Sequence, residues 1–414
     1  MKVLIISHMY PSTFSEIEGI FVHQQVKELE RQGCEVKVIS PVPWVPFPVK
    51  YFSKKWGKYS RVPQKTNWDG IEVYYPRYID FPKALFFASS GERMYRGIRE
   101  KVDKIYKDFE FDLIHAHVAL PDGYAGMLIA QKYKNPLVIT IHGADFYRTI
   151  FRDEKCKKNV EEAINFSHKT IVVSNKLKKI GEKKLKIESG KIIVVPDGIN
   201  PENIFDGESN LLSKYKNLTT GQNLVSRFAR NKDKKIILSV SHLIKTKGID
   251  LNLKAISRLK EKYPTIHYLI IGEGKARKKL EKIVKNLNLQ DKVEFLGQLP
   301  HNKVMEYMSI CDIFSLPSWK EGFGVVYIEA MAHKKPVIAC EGEGPEDFIK
   351  DKKTGLLVKP KDVGSLAEAI DFLLSNSERA KEIGERAKKL VLENYTWERI
   401  AGRLIEIYKK AITS

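Results

Sequence analysis

The sequence contains few cysteines and no long apolar run. Only four of its 414 residues are cysteine, and no two have the Cys-x-x-Cys spacing of a zinc or redox site. They are Cys34, Cys156, Cys311 and Cys340. No segment approaches the ~20 apolar residues that a membrane span requires, and the run Val3–Ile6 is too short for a signal peptide. We therefore expect a cytoplasmic protein with reduced, buried cysteines.

Anionic residues are also scarce. The chain has 51 Asp and Glu against 71 Lys and Arg, which gives a formal net charge of +20 at pH 7. The remaining composition, 43% hydrophobic and 29% charged, is ordinary for a folded protein and does not indicate disorder. No internal repeat or low-complexity tract is visible, and the length suits two domains with their own cores.

The positive charge is concentrated in one early segment. Residues 50–65 contain six cations, no anion and four aromatic side chains, and they follow Pro41–Pro48, whose prolines exclude a continuous helix. Cations beside aromatics suit the surface of an anionic leaflet, at ~1 kcal/mol per Lys or Arg. We expect contact with the inner face of the membrane. The alternatives are an ordinary solvated loop or a nucleic-acid partner, which no RNP, KH, helix-turn-helix or zinc-finger pattern supports.

Short apolar runs typical of buried parallel strands alternate with helical patterns in both halves of the chain. The strands predicted in the first half are Val3–Ile6, Val36–Ile39, Leu113–His115, Leu137–Ile141 and Ile171–Val173. Those in the second half are Ile236–Val240, Tyr268–Ile271, Val293–Leu296, Ile313–Leu316 and Val337–Ala339. The predicted helices include Gln24–Gln32, Tyr124–Tyr133 and Lys158–Phe166.

An insertion over residues 42–90 interrupts the first half of the chain. It includes the segment Asp69–Tyr75, which we interpret as part of an edge hairpin. Residues 206–235 are polar and contain the predicted connection between the halves. The alternation predicts an α/β fold of two doubly wound, Rossmann-like domains facing a cleft.

Residues 312–347 are the most informative segment, because two predicted strands flank a glycine-bearing loop, Glu321–Gly324, and a helix that follows to about residue 333. Backbone N–H groups at a helix N-terminus bind phosphate when small residues allow close approach. Glu321 and Glu329 bracket that terminus, and carboxylates so near a phosphate favour neutral hydroxyls as partners. The pattern indicates a ligand of phosphate plus sugar. The alternative is an ordinary helix with two solvated glutamates.

This spacing resembles the Glu-x7-Glu motif of the retaining GT-B glycosyltransferases of family 4, which build polysaccharides, glycolipids and sucrose. The resemblance implies a nucleotide-diphosphate sugar as substrate, with Glu321 on the transferred sugar and Glu329 on the nucleotide ribose. The further donor-binding residues that it implies after Glu321 are Phe323, Gly324, Val325 and Val326. Sugar specificity is expected in contacts around Glu321 and Gly342–Glu346.

The segment Val240–Gly248 resembles the family's Val-Gly-Arg-Leu-x3-Lys-Gly, whose arginine and lysine neutralise the donor diphosphate. Lys247 matches the lysine, which implies a catalytic role for it. His242 replaces the arginine and is only partly charged at neutral pH. A surface lysine at the start of a helix is the alternative for Lys247.

A glycine turn at Gly272 and Gly274 follows a predicted strand, much like a dinucleotide fingerprint. Arg277 replaces the third glycine, so we do not expect a nicotinamide oxidoreductase. The resemblance implies only that the turn lines the nucleotide pocket.

The first half also contains family landmarks at the ends of predicted strands, where α/β sheets bind ligands. His117 matches the family histidine near the transferred sugar, which implies a catalytic role for it. His142 and Asp145 match the family's Thr-x-His-Gly-x-Asp segment on the sugar or acceptor side. Gly19 occupies the place of a glycine loop that approaches donor phosphate. A histidine of this kind taken alone is more often a structural residue, but two at strand ends of one sheet, both matching a motif, favour the functional interpretation of His117.

The resemblance covers nearly the whole chain and implies its domain boundaries. The segment Val195–Asn200 resembles the sequence that closes the first domain, and Tyr395 begins a segment like the helix that crosses back onto it. We expect an acceptor domain over 1–203, a nucleotide-sugar domain over 204–395, and a helix over 396–414 that returns to the first domain.

No Asp-x-Asp pair is present to hold a divalent cation against a diphosphate. Positive potential at the leaving diphosphate must then come from Lys247 and the amides of Gly324, Val325 and Val326, so no metal or cofactor is expected. The family's usual mechanism is attack from the leaving-group face, with retention.

By broad resemblance, through Tyr10-Pro-Ser and Glu18-Gly-Ile-Phe, the chain is similar to teichuronic-acid, capsule and exopolysaccharide enzymes, which implies a glycan or lipid-linked acceptor. A sugar-nucleotide 2-epimerase and a non-catalytic scaffold subunit remain as alternatives.

Overall fold

The computed structural model describes residues 1–15, 19–204 and 234–414. The chain divides into two compact units. Unit 1 comprises Met1–Gly198 with Trp397–Ser414, and unit 2 comprises Ile199–Thr396. These divisions fall five residues before and one residue after the positions 203 and 395 expected from the sequence. The predicted connection 206–235 lies outside the described residues except for its last two positions.

Unit 1 is built on an eight-stranded sheet with strand order β10-β9-β8-β7-β1-β2-β5-β4. All neighbouring strands are parallel except β4 and β5. The strands of this sheet are β1 (Lys2–Ile6), β2 (Glu35–Ile39), β4 (Lys65–Trp68), β5 (Ile71–Tyr74), β7 (Leu113–His117), β8 (Leu137–Ile141), β9 (Lys169–Val172) and β10 (Ile192–Val194). Two further strands, β3 (Val42–Pro43) and β6 (Arg77–Tyr78), pair with each other.

Helices cover the sheet of unit 1, so its central strands are buried. Strands β7 and β8 are buried along their whole length, which explains why they are continuous apolar runs instead of alternating patterns. The helices are α1 (Ile20–Arg31), α2 (Val49–Phe52), α3 (Lys54–Arg61), α4 (Ser90–Phe109), α5 (Tyr124–Tyr133), α6 (Ala144–Tyr147), α7 (Glu154–Phe166), α8 (Asn175–Lys184) and α15 (Trp397–Thr413).

The last helix, α15, belongs to unit 1 although it follows unit 2 in the chain. Trp397 is buried, and its Nε1 donates a hydrogen bond to Oε1 of Gln24 on α1 (2.9 Å). Further along, the buried Tyr408 bonds to a histidine of β7 through its hydroxyl. Burial of one apolar face of α15 thus fixes this helix to the first sheet.

Unit 2 contains a six-stranded parallel sheet with the order β13-β12-β11-β14-β15-β16. This is the doubly wound order 3-2-1-4-5-6, in which ligands bind outside the carboxyl ends of the two strands where the order reverses. Here those strands are β11 and β14. The strands are β11 (Lys235–Val240), β12 (Ile266–Ile271), β13 (Val293–Gly297), β14 (Ile313–Ser315), β15 (Val337–Cys340) and β16 (Leu356–Val358).

The helices of unit 2 complete the strand–helix alternation. They are α9 (Ile249–Leu259), α10 (Arg277–Asn286), α11 (His301–Ile310), α12 (Val325–Ala332), α13 (Val363–Ser375) and α14 (Ser377–Asn394). Within the part of the chain that the structure describes, no helix has both the length and the apolar character needed to span a bilayer. All four cysteines are buried and free, as expected.

The insertion over residues 42–90 contains the predicted edge hairpin. Strands β4 and β5 are antiparallel, with Asp69 and Gly70 at the turn, both at positive φ (51° and 95°). Strand β4 lies at the edge of the sheet. The cationic segment 50–65 is not a loop, since most of it forms the short helices α2 and α3.

Candidate functional site

Two loops meet at the carboxyl edge of the unit 2 sheet, one following β11 and one following β14. The amide of Trp319 donates to the carbonyl of Thr246 (3.0 Å), which joins the two loops directly. Gly248 lies at positive φ (71°), and a Cβ there would approach the Pro317 carbonyl oxygen to 2.3 Å. Only glycine allows this approach. Gly248 therefore lets the first loop pack against the second, so that Lys247 lies beside the second loop.

Lys247 and Glu321 form an ion pair between these loops. Nζ of Lys247 lies 2.6 Å from Oε2 of Glu321, and the two side chains are 19% and 13% exposed. The backbone of Glu321 is also fixed, because its N–H donates to Oε2 of Glu343 (2.7 Å) and its carbonyl accepts from Gly344 (3.2 Å). A cation and two carboxylates are thus concentrated within a few ångströms of the strand ends.

Helix α12 begins directly after the second loop. Its N-cap, Gly324, has φ 90° and ψ 68°, and a Cβ there would lie 2.5 Å from the ring of Tyr327. Tyr327 is fully buried, and its hydroxyl donates to the carbonyl of Leu316 at the end of β14. The first amides of the helix, including Val325 and Val326, have no intrahelical acceptor. They therefore carry the positive end of the helix dipole at the same edge as Lys247.

Glu329 lies on the same helix and is paired with a histidine that the sequence analysis did not identify. Oε1 of Glu329 lies 2.7 Å from Nε2 of His301, at the start of α11. The hydrogen bond to this carboxylate raises the pKa of His301 above its ordinary value. No motif marks His301 in the sequence, because the partners are 28 residues apart and belong to different helices.

The glycine turn after β12 packs closely on the loop that follows β11. A Cβ at Gly272 would lie 1.9 Å from the carbonyl oxygen of Ser241, and one at Gly274 would lie 2.4 Å from that of Leu243. These glycines allow the turn to pack directly against the loop that follows β11, which is the loop that contains Lys247. Arg277, in place of a third glycine, pairs with Glu273 and Glu281.

His242 and Phe323, two predicted donor-binding residues, differ in accessibility. His242 is exposed on the loop of Lys247. Phe323 is only 3% exposed, and its ring packs against Phe348 and Tyr395, with centroids 5.1 and 6.1 Å away. Any ligand contact by Phe323 is therefore limited to its backbone.

In unit 1 the structure brings together Gly19, His117 and His142. Gly19 caps α1 at positive φ (72°), and a Cβ there would collide with the Met9 carbonyl oxygen at 1.3 Å. Phe21, on the first turn of α1, packs its ring 4.6 Å from that of His142. Nδ1 of His117, at the end of β7, lies 3.0 Å from Nε2 of His142, which follows β8.

Buried polar groups surround these histidines. Nδ1 of His142 lies 3.8 Å from Oδ1 of Asp197, a residue to which the sequence analysis gave no role. Burial raises the pKa of Asp197 to about 7 and lowers the pKa of His142 to about 3. Nε2 of His117 is buried without a hydrogen-bond partner among the described residues. Burying a nitrogen without a hydrogen-bond partner costs free energy. Such an atom is typical of a site that binds a ligand or water.

Asp145 is oriented toward a different loop. Its Oδ1 accepts from the amide of Leu120 (3.2 Å), and burial raises its pKa to about 6. Asp122, on the same loop as Leu120, accepts from His8 (2.8 Å). In the described ranges, no group of three or more His, Cys, Asp or Glu side chains has the arrangement of a metal site.

Both units have mostly parallel, doubly wound sheets of the type whose carboxyl edges bind nucleotides in many α/β proteins. The "Glycosyltransferase Family 4" profile matches residues 19–203, and the "Glycosyl transferases group 1" profile matches residues 222–390. The chain is similar to the putative teichuronic acid biosynthesis glycosyltransferase TuaC of Bacillus subtilis (strain 168). The two are 31% identical over 371 residues, 89% of this chain and 88% of that protein.

Solved structures share the fold at low identity. The sucrose-phosphate synthase from Thermosynechococcus elongatus has a TM-score of 0.80 at 21% identity, covering 100% of this chain and 99% of that chain. Anabaena Alr3699/HepE in complex with UDP and glucose has a TM-score of 0.73 at 18% identity, covering 99% and 100%. The chain belongs to the family 4 glycosyltransferases and has their GT-B fold of two Rossmann-like domains. It is a transferase of glycan biosynthesis.

Proposed function

We propose that this glycosyltransferase moves a sugar, with retention of anomeric configuration and without a metal ion, from a nucleotide-diphosphate donor to a hydroxyl of a glycan or lipid-linked acceptor. The observation that carries the proposal is the Lys247–Glu321 pair at 2.6 Å beside the N-terminus of α12. A cation, a carboxylate and the positive end of a helix dipole thus lie at the strand edge where doubly wound sheets bind ligands.

The donor is proposed to bind with its diphosphate between Lys247 and the amides of Gly324, Val325 and Val326. Charge-assisted hydrogen bonds of this kind are about twice as strong as neutral ones. Without donor, Glu321 neutralises the lysine. With donor, Lys247 turns to the diphosphate, and the released carboxylate accepts hydrogen bonds from the sugar. Glu329 accepts from the ribose hydroxyls, with His301 fixing its orientation through the 2.7 Å contact.

The chemical step is proposed to occur on one face of the sugar. The bond from the anomeric carbon to the diphosphate breaks, and the acceptor oxygen forms its bond on the same face. The acceptor proton passes to the departing phosphate oxygen. Negative charge grows on that phosphate, so preorganised positive groups stabilise the transition state more than the ground state.

The proposal that no divalent cation is needed rests on two features of the chain. The sequence has no Asp-x-Asp pair, and Lys247 with the first amides of α12 provides positive potential at the same edge of the sheet. His242, which replaces the family arginine, is exposed on the same loop as Lys247.

A role in cell-surface polysaccharide synthesis is proposed because the similar Bacillus subtilis protein is described as a putative teichuronic acid biosynthesis glycosyltransferase. Such products are assembled on or near membranes, which agrees with a surface of unit 1. This apolar–basic surface comprises the lysines of α2 and α3 together with a set of exposed apolar side chains: Trp44, Phe47, Tyr51, Phe52, Ile79, Phe81, Leu85, Phe86 and Phe151.

The apolar–basic surface is formed by three segments, residues 44–52, residues 79–86 and residues 151–152, and hydrogen bonds show that these segments are neighbours. The amide of Trp44 donates to the carbonyl of Tyr78 (2.7 Å), and Arg152 donates to that of Ala84 (2.6 Å). Phe52 and Phe86 are 85% and 72% exposed. Exposed aromatic side chains on this scale mark an interaction surface, and adjacent lysines suit an anionic leaflet. We propose that this surface contacts the inner leaflet of the membrane.

A panel of nucleotide sugars tests the proposed function. A ligand that binds only the folded state raises the melting temperature by mass action, so thermal shift identifies the donor, and radiolabelled sugar then measures transfer to a membrane lipid extract. The proposal expects the labelled sugar on the acceptor and free nucleoside diphosphate. Sugar that stays on the nucleotide with an inverted C2 would support an epimerase, and no turnover of any bound donor would support a scaffold.

A further inference from the structure

His117 and His142 are joined through their rings, and the remaining nitrogen of each ring has a different environment. Nδ1 of His117 lies 3.0 Å from Nε2 of His142, and the rings are parallel within 4°. Nε2 of His117 and Nδ1 of His142 are both buried without a hydrogen-bond partner among the described residues. Nδ1 of His142 faces Asp197, whose Oδ1 lies 3.8 Å away, beyond hydrogen-bond distance. Burial lowers the pKa of both histidines, so both rings are neutral at pH 7.

Neutral imidazole carries one proton, so the pair has only two hydrogen-bonded arrangements. In the first, His117 Nδ1–H donates to His142 Nε2, the proton of His142 is on Nδ1 and faces Asp197, and Nε2 of His117 is an acceptor. In the second, His142 Nε2–H donates to His117 Nδ1, the lone pair of His142 Nδ1 faces Asp197, and Nε2 of His117 carries a proton.

Asp197 distinguishes these two arrangements. An ionised carboxylate attracts the N–H of the first arrangement and repels the lone pair of the second. A protonated carboxyl group instead directs its own O–H toward that lone pair and favours the second. At 3.8 Å the interaction is electrostatic in a buried environment, where the low dielectric strengthens it.

We propose that Asp197 is a positioning residue that determines, through His142, whether Nε2 of His117 accepts or donates a hydrogen bond to the bound sugar or acceptor. With Asp197 ionised, His117 accepts from a ligand hydroxyl. With Asp197 protonated, His117 donates to a ligand oxygen. Only the identity of the hydroxyl ligand rests on the proposed function, since the tautomers follow from the geometry of unit 1.

The other side chains that contact the two histidines do not change charge near pH 7, so they do not determine the tautomers. The His115 ring lies 4.5 Å from that of His117, with its nitrogens bonded to Tyr408 (2.6 Å) and Thr140 (2.7 Å). Burial lowers the pKa of His115 to about 3 and raises that of Tyr408, so neither changes charge near pH 7. Phe21 of α1 covers His142 without a titrating group.

Two buried acids of the neighbouring loops require a control, because burial also raises their pKa values. Asp145, three residues after His142, has a pKa of about 6 and accepts from the amide of Leu120. Asp122 is bonded to His8, whose charge lowers the carboxyl pKa against the effect of burial. Asp145 is the closer of the two in sequence and titrates in the same range as Asp197.

The test is ring ¹⁵N NMR of the full-length protein with labelled histidine, free of substrate, at about pH 5.5 and about pH 8.5, on either side of the Asp197 pKa of about 7. We expect the proton of His117 on Nδ1 at high pH and on Nε2 at low pH. In Asp197→Asn this change should be lost, because an amide does not titrate. Asp145→Asn should keep it, and the His115 signals report that unit 1 is folded.

A His117 tautomer that is the same at both pH values in the wild-type protein would overturn the proposal. So would a pH-dependent change that persists in Asp197→Asn. Because no donor or acceptor is present, these outcomes are independent of the proposed function, which transfer assays test separately.

Discussion

Glu321 and Glu329 belong to one motif, but their side chains have different partners. Glu321 pairs with Lys247 and Glu329 with His301. Because Glu321 is proposed to bind the transferred sugar, Glu321→Gln should lower kcat without weakening nucleotide binding. Because Glu329 is proposed to bind the ribose, Glu329→Gln should mainly raise KM for the donor. Hydrogen bonds to charged groups are worth ~1.5–3 kcal/mol, so each effect should be about 10- to 100-fold.

Steady-state kinetics with the identified donor, together with calorimetry of nucleotide binding, separate the two effects. Glu368→Gln, an exposed glutamate on α13, is the matched control and should behave as the wild type. Wild-type kinetics for both motif variants would remove the assignment of the donor site.

The His301–Glu329 pair should make stability depend on pH. Its carboxylate partner raises the pKa of His301 in the folded state, so the stabilisation is full below the unfolded-state pKa and is lost as pH rises through the folded-state pKa. The melting temperature of His301→Gln should be lower than wild type at about pH 6, and the gap should narrow toward about pH 8.5. A gap that is constant or widens with pH would show that the ion pair does not stabilise the fold.

At the residue scale, the sequence predicted which side chains form the proposed donor site but not which of them are in contact. The Glu321 and Lys247 motifs lie 74 residues apart, and only the strand order brings their loops together. His301 and Asp197 were missed because neither lies in a pattern with a chemical reason of its own. Their roles depend on a partner across the fold.

At the scale of single elements, the start of α12 depends on glycine at position 324. Gly324→Ala should destabilise unit 2, because positive φ costs a non-glycine residue ~1–3 kcal/mol and the new Cβ would lie 2.5 Å from the Tyr327 ring. Gly342→Ala is the matched control. It has a similar φ of 71° but no atom within 4 Å of its Cβ position.

Denaturant unfolding of the two glycine variants separates backbone strain from the steric contact with Tyr327. Gly324→Ala should be the less stable variant and should also bind nucleotide more weakly, since the first amides of α12 shift. Equal stability of the two variants would show that the close contact with Tyr327 is easily relieved.

The elements predicted best were buried strands and the loops that end them. Most strands agree within two residues because continuous apolar runs leave little choice. The three-residue strands β10 and β16 were not predicted, since so short a run has no detectable period. The equally short β14 was predicted because it leads into the glycine-bearing loop of the Glu-x7-Glu motif. Helix α4 was also overlooked, although its buried positions, Met94, Ile98, Val102, Ile105 and Phe109, follow helical spacing.

At the scale of the whole molecule, the net charge of +20 has a proposed partner in the anionic membrane. The protein should co-sediment with anionic but not zwitterionic vesicles, and binding should fall with salt, since the Debye length is about 8 Å at physiological ionic strength. The Lys54→Gln, Lys55→Gln, Lys58→Gln variant should lose most of this binding, at ~1 kcal/mol per lysine.

A matched triple variant of unit 2, Lys278→Gln, Lys279→Gln and Lys282→Gln on α10, removes the same charge from exposed positions. It should bind vesicles like the wild type. If both triple variants lose binding equally, net charge and not the apolar–basic surface is responsible, and salt-insensitive binding would exclude the electrostatic account.

The central claim is that Lys247 and the α12 N-terminus bind a nucleoside diphosphate without a metal ion. Isothermal titration of UDP, GDP, ADP and dTDP in excess EDTA tests this directly, with wild type, Lys247→Met and the control Lys245→Met, an exposed lysine on the same loop. We predict that at least one diphosphate binds wild type and the control alike, and that Lys247→Met loses at least about tenfold in affinity. Binding that requires Mg²⁺ or Mn²⁺, or that is unchanged in Lys247→Met, would contradict the account.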